Sequence, residues 1–247
     1  MDEGIEINLR PRRQIVDRLL ALIALANRLS LEAQSQYGGA DLEERFDLIA
    51  WLIDARAIDE LTSFERGVLE ARLGYLSEGE RNRLIFSLES ALPLAWSLDL
   101  LDQIDPAVPV PVEGERLLPS LPEPGQDVAK FRQHGSLVSE EAAAEAREMQ
   151  EIWLWRLSVE RDRRDEAADG IPELNDAIYE TIDEIEAAGY SLDLAPDGDF
   201  ALNGTSVRDL RPDQLDFAMM IAETRLMAFN WLCGYGASWD DVPLEID

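Results

Sequence analysis

PDQLDFAMMIAETRLMAFNWLCG, residues 212–234, decides the fold class. At 100° per residue, Leu215, Ala218, Met219, Ala222, Leu226, Phe229 and Cys233 fall on one stripe. Met220, Ile221, Met227, Trp231 and Leu232 make much of the remaining circumference apolar too. A helix that is apolar nearly all round belongs inside a bundle. Pro212 suits its first turn, and Gly234 or Gly236 can end it in the left-handed conformation. Glu223 and Asn230 share one flank, two turns apart, while Arg225 projects from roughly the opposite side. Glu223 and Arg225 therefore do not pair with each other. Each needs a partner elsewhere, because an unpaired buried charge is costly.

Working outward, residues 12–35 repeat apolar positions at helical spacing, with Ile15, Leu19, Leu22, Ile23 and Ala26 on one stripe. A second helix is expected over 41–58. Thr62–Glu65 and Ser77–Glu80 both have the capping-box form, so helices open at each. The second of these runs toward residue 92, where Pro93 kinks or restarts it. Pro106, Pro109, Pro111, Pro119, Pro122 and Pro124 make 103–126 an extended connection. Long helices follow over 139–165 and 172–188, the latter stopped by Gly189. The period then changes, and "YSLDLA", "PDGD" and "DFALNG" predict a small β-hairpin at about 190–203. The expected fold is mainly α: helical bundle or layers, with this hairpin preceding the buried C-terminal helix. The halves are 1–102 and 127–247, joined by 103–126 and expected to form one compact unit.

The charge is extreme: 22 basic residues stand against 51 acidic ones, a net −29, and Lys130 is the only lysine. That field repels nucleic acid and anionic membranes and attracts basic partners. The acids are dispersed over helical repeats, as on solvated helix faces, so solubility or a saline habitat also explains them. No apolar run reaches the roughly 18–20 residues that cross a bilayer. "LLALIALANRL" at 19–29 lacks a small-residue cleavage site after it, and the protein is placed in the cytoplasm. Cys233 is the single cysteine and His134 the single histidine, which leaves no cysteine metal cluster, no intrachain disulfide and no imidazole relay.

"ETRLMAFNWLCGYGASWDDVPLEID", residues 223–247, resembles the closing signature of a bacterial family, domain of unknown function number 4272. The matching positions are Glu223, Arg225, Asn230, Trp231, Leu232, Gly234, Trp239 and Asp240. The chain departs from the signature in placing Thr224 between Glu223 and Arg225, and in ending "LEID" where threonine is commoner. "LESALPLAWSLDLLDQI", with Glu89 and Trp96, is similar to the family's central segment. "EIWLWR" and "GDFALNG" are similar to two further elements. The resemblance implies a fold and no chemistry.

Two readings of the C-terminal cluster stand side by side. In one, Trp239 folds back over the core, Asp240 or Asp241 caps a backbone group or meets an arginine, and Cys233 is an inert buried thiol. In the other, Glu223, Asn230, Arg156 and Trp239 line a functional cleft, with Arg225, Trp231 and Asp240 around it. Arg156, in "WLWR", should seek a carboxylate, with Glu223 or Glu89 as candidates. The carboxylates of Glu180, Asp183, Glu184 and Glu186 read as a solvated face rather than a cation site. No phosphate loop, nucleophile elbow or triad is present, so no catalytic residue, metal ligand or cofactor is assigned. The function expected is non-catalytic: an interaction module, inhibitory or immunity-type, whose acidic surface meets a basic protein. The alternative is an enzyme or small-ligand binder using the polar cluster.

Overall fold

A computed structural model describes residues 7–35, 44–104, 117–165, 171–190 and 192–244. Pro106, Pro109, Pro111 and the closing residues 245–247 lie outside the described residues, as do Ser191 and the start expected for the second helix. The fold is predominantly helical, with one small antiparallel β element. The described chain divides into two compact units: 7–104 with 117–147 and 224–244, and 148–223.

In the first unit, helix α1 (Arg12–Ser35) is enclosed on all sides from Ile15 to Leu25. Beyond that it turns only Arg28, Leu31 and Glu32 inward, and Ala26, expected on the apolar stripe, is exposed. Helices α2 (Glu44–Asp54), α3 (Ser63–Glu70), α4 (Glu78–Ser87) and α5 (Ala91–Ser97) complete the shell of this core. Both capping boxes form. Thr62 Oγ1 accepts from the Glu65 amide at 3.2 Å and Glu65 Oε2 from the Thr62 amide at 2.9 Å. The Ser77–Glu80 pair repeats the exchange at 3.2 and 2.8 Å. Helix α2 stops four residues before the expected end at 58. Arg56 adopts φ 57°, and the amides of Arg56 and Ala57 return to the carbonyls of Ile53 and Leu52. This is a Schellman stop with arginine where glycine is usual. Over 88–90 the chain tightens to a 3-10 turn before α5, so Pro93 sits near the start of α5 instead of breaking a longer helix.

Helix α6 (Glu140–Asp165) contributes its residues to Arg147 to the first unit and the rest to the second; α8 (Pro212–Leu232) changes unit after Glu223. The second unit's core joins Trp153 and Leu157 of α6 to Ile178, Ile182 and Ile185 of α7 (Ile171–Ala187). Phe200, Val207, Leu215, Met219 and Ala222 close it. The ladder pairs β1 (Ala201–Leu202) with β2 (Thr205–Ser206), in register Ala201↔Ser206. Its turn is Asn203–Gly204, both at positive φ as a two-residue hairpin requires. The expected arms around "PDGD" meet only at the isolated bridge Leu194↔Phe200. The stronger turn signal was the Asn-Gly pair.

Candidate functional site

The end of α8 closes by a Schellman motif. The Gly234 amide bonds the Trp231 carbonyl at 3.0 Å, and the Tyr235 amide bonds that of Asn230 at 3.0 Å, with Gly234 at φ 96°. The segment before α1 then docks on the helix end, the amides of Asn8 and Arg10 donating to Cys233 and Leu232 at 3.1 and 2.9 Å. Any Cβ on Gly234 would collide with the Asn8 carbonyl oxygen, so close backbone approach and positive φ both require glycine. Arg10 adds bonds to the carbonyls of Trp231 at 3.1 Å and Tyr235 at 3.2 Å.

Trp239 begins a 3-10 turn and lies edge-on to Trp231, ring centres 5.1 Å apart. The Arg18 guanidinium stacks on its ring at 4.0 Å. Asn230 is fully buried: its Oδ1 accepts from Arg147 Nε at 2.7 Å, and its Nδ2 donates to the carbonyls of Pro243 and Leu244. Arg225 finds Glu89, Nη2 to Oε2 at 2.8 Å, with both residues buried. Cys233 is buried too, and burial pushes its thiol up to about 11. Asp240 is exposed. Glu223 is half-buried and forms no ion pair among the described residues.

Arg156 belongs to the second unit, and its partner differs from both expected acids. Its Nε and Nη2 grip Asp199 at 2.7 and 2.5 Å, and Glu160 stands 3.6 Å away. The distant partner could not be foreseen, because Asp199 sits in the "PDGD" turn and reaches Arg156 only once Phe200 packs on Trp153. Burial alone would raise the Asp199 carboxyl, but the Arg156 bonds and charge outweigh it and hold it below the usual range. Arg18 grips Glu65 in the same bidentate manner at 2.7 and 2.6 Å, and Glu65 is likewise held down. Arg28 meets Glu32 at 2.8 Å; that carboxylate also accepts from the amides of Gly74 and Leu76.

A different arrangement lies at the start of α1. An open cleft of about 620 Å³ is lined by Arg12, Arg13, Arg56 and Arg132, with Val16 and Val128 among its apolar residues. It shares Asp54, Ala55, Asp127 and Val128 with a second hollow of about 640 Å³, which carries Asp47 and no basic residue. None of these four arginines was singled out from sequence. The available signal was Arg12 and Arg13 opening a helix with no acid in its first turn, against the helix-dipole preference.

The family described as Domain of unknown function (DUF4272) matches residues 1–180. The chain belongs to this family. The match includes Glu89, Trp96 and the "EIWLWR" segment, as well as all four cleft arginines; the C-terminal stretch 223–247 lies outside it. No curated protein and no solved structure matches the chain. Among the described residues no helix is long and apolar enough to cross a membrane, and no group of three or more His, Cys, Asp or Glu is arranged to hold a metal ion.

Proposed function

We propose that the protein is a non-catalytic interaction module of the inhibitory or immunity type, which binds a basic protein partner through an acidic surface. The observation that carries this reading is the outer face of α7. Glu173, Asp176, Glu180, Asp183 and Glu184 are all exposed, while Ile178, Ile182 and Ile185 are buried. At 100° per residue the five carboxylates fall within an arc of about 100°. From residue 171 to 207 the sequence holds no lysine, arginine or histidine, and the Arg208 guanidinium lies 5.9 Å from the centre of the Tyr179 ring. Tyr179, 41% exposed, and Leu194, 37% exposed, give the same unit apolar area for contact. Such a face speeds encounter with a cationic surface and selects against acidic ones.

The buried pairing of Arg156, Arg225 and Asn230 also supports this reading, because it commits to structure the polar groups that a cleft at the C-terminal cluster would need. The test is affinity capture from native lysate at low salt. A basic protein is expected to co-purify, and to be lost at about 0.5 M salt, where screening acts within a few ångström. It is also expected to be lost when Glu173, Asp176, Glu180, Asp183 and Glu184 are replaced by their amides. Recovery of no partner, or of one indifferent to both changes, contradicts the proposal.

A further inference from the structure

The cleft at the start of α1 gathers four of the 22 basic residues of a chain whose net charge is −29. In such a chain a concave cluster of guanidinium groups is the least expected surface. Their commitments differ. Arg132 pairs with the buried Asp17 and donates to the Ala55 carbonyl, and Arg13 lies 3.5 Å from the same carboxylate. Arg12 donates Nε to the Arg132 carbonyl at 3.3 Å and Nη2 to that of His134, while its Nη1 has no hydrogen-bond partner. Arg56 is exposed and has no ion pair among the described residues. Asp127 uses Oδ1 to accept from the Ala129 amide at 3.0 Å, and it and Asp54 stand where the cleft meets the acidic hollow. Arg56 thus has no ion pair among the described residues, while Arg12 is anchored through two of its nitrogens and keeps only the buried Nη1 unbonded.

The backbone at Arg56 adds an independent observation. It occupies the left-handed stop position of α2 at φ 57°, where glycine would be relaxed. Backbone strain held at a cleft motivates a functional hypothesis for the residue that carries it. The first turn of α1 compounds the charge, because the positive end of a 24-residue helix carries two arginines and no acid.

We propose that this cleft binds a small organic oxyanion, a carboxylate or phosphoryl compound, held chiefly by Arg56 with Arg12, Arg13 and Arg132 alongside. Guanidinium forks match the paired oxygens of both groups. A volume of about 620 Å³ suits a metabolite-sized ligand over a floor that includes Val16 and Val128. This site is built from residues of the first unit alone and does not depend on a protein partner.

Titration calorimetry of the full chain with citrate and with pyrophosphate, at low and matched ionic strength, tests the proposal and tells carboxylate from phosphoryl recognition. Saturable one-to-one binding of at least one probe is expected, weakened about 10-fold or more by Arg56→Gly and by Arg12→Gln. Arg56→Gly should also raise the melting temperature, which separates loss of the site from loss of the fold. Arg161→Gln, with the same change in net charge on the second unit, should leave binding unchanged. No saturable binding of either probe overturns the proposal, as does an equal loss in Arg161→Gln. Capture of an acidic peptide without binding of either probe overturns it as well.

Discussion

Arg18 and Arg28 lie on the same helix as Arg12 and Arg13, and the two pairs do opposite things. The inner pair is fully buried; each guanidinium donates to a backbone carbonyl and to a carboxylate that also accepts from backbone amides. The outer pair lines an open cleft, with Arg12 anchored to backbone carbonyls and Arg13 3.5 Å from Asp17. Arg156 and Arg225 repeat the inner pattern elsewhere. In a chain this acidic, carboxylates are abundant, so an arginine left without one differs in placement rather than in supply. Buried arginines fix which elements meet; in the cleft, Arg56 forms no ion pair among the described residues.

Acid should break the inner pattern first and furthest. Glu32, Glu65, Glu160 and Asp199 are buried carboxylates held below their ordinary range by arginine bonds and charge that outweigh burial. A carboxylate with a depressed folded pKa contributes stability above its unfolded pKa and loses it as pH falls through the folded value. Glu60 runs the other way: burial and Asp17 raise it, so its penalty at neutral pH is relieved on acidification. Relief of the overall negative repulsion acts in the same direction as Glu60. Urea midpoints should therefore hold level or rise from pH 7 to about 5 and fall steeply below about 4. A monotonic rise into acid would mean that the buried pairs contribute little.

Asp199→Asn should come next, with a loss of about 3 kcal/mol in urea unfolding, because it leaves a guanidinium with no access to water only the counter-charge of Glu160 at 3.6 Å. Replacing Arg156 and Asp199 together by Met and Leu should recover much of that loss. Failure to recover would mean that the pair matters through Phe200 and Ser206, which Asp199 also bonds, and not through charge. Gly234→Ala should cost roughly 1–3 kcal/mol by forcing a side chain into a left-handed position against Asn8. Its signature is increased amide exchange at Asn8 and Arg10, since those amides bond the carbonyls beside it.

The sequence made the helical frame legible wherever the signal was local. The stripe Leu215–Cys233 is buried at every position named, both capping boxes close, and the glycine stop falls at Gly234. It also showed that Glu223 and Arg225 could not be partners. What it could not show was pairing across the chain. Arg225 meets Glu89 over 136 positions and Arg18 meets Glu65 over 47, and among 51 acids no pattern distinguishes the right one. The turn at "PDGD" forms with one antiparallel bridge across it, while the two-residue ladder lies around Asn203–Gly204. The cleft went unread because its arginines come from three separated segments, each of which looks like an ordinary solvated end.

The most direct test compares Arg225→Gln with Arg56→Gln by urea unfolding at neutral pH. Arg225→Gln withdraws a buried guanidinium from Glu89 and should cost about 3–5 kcal/mol. Arg56→Gln should change stability by no more than about 0.5 kcal/mol, because the exposed side chain holds nothing in the fold. Comparable losses in the two variants would contradict the division between arginines that build the protein and arginines that it keeps for a ligand.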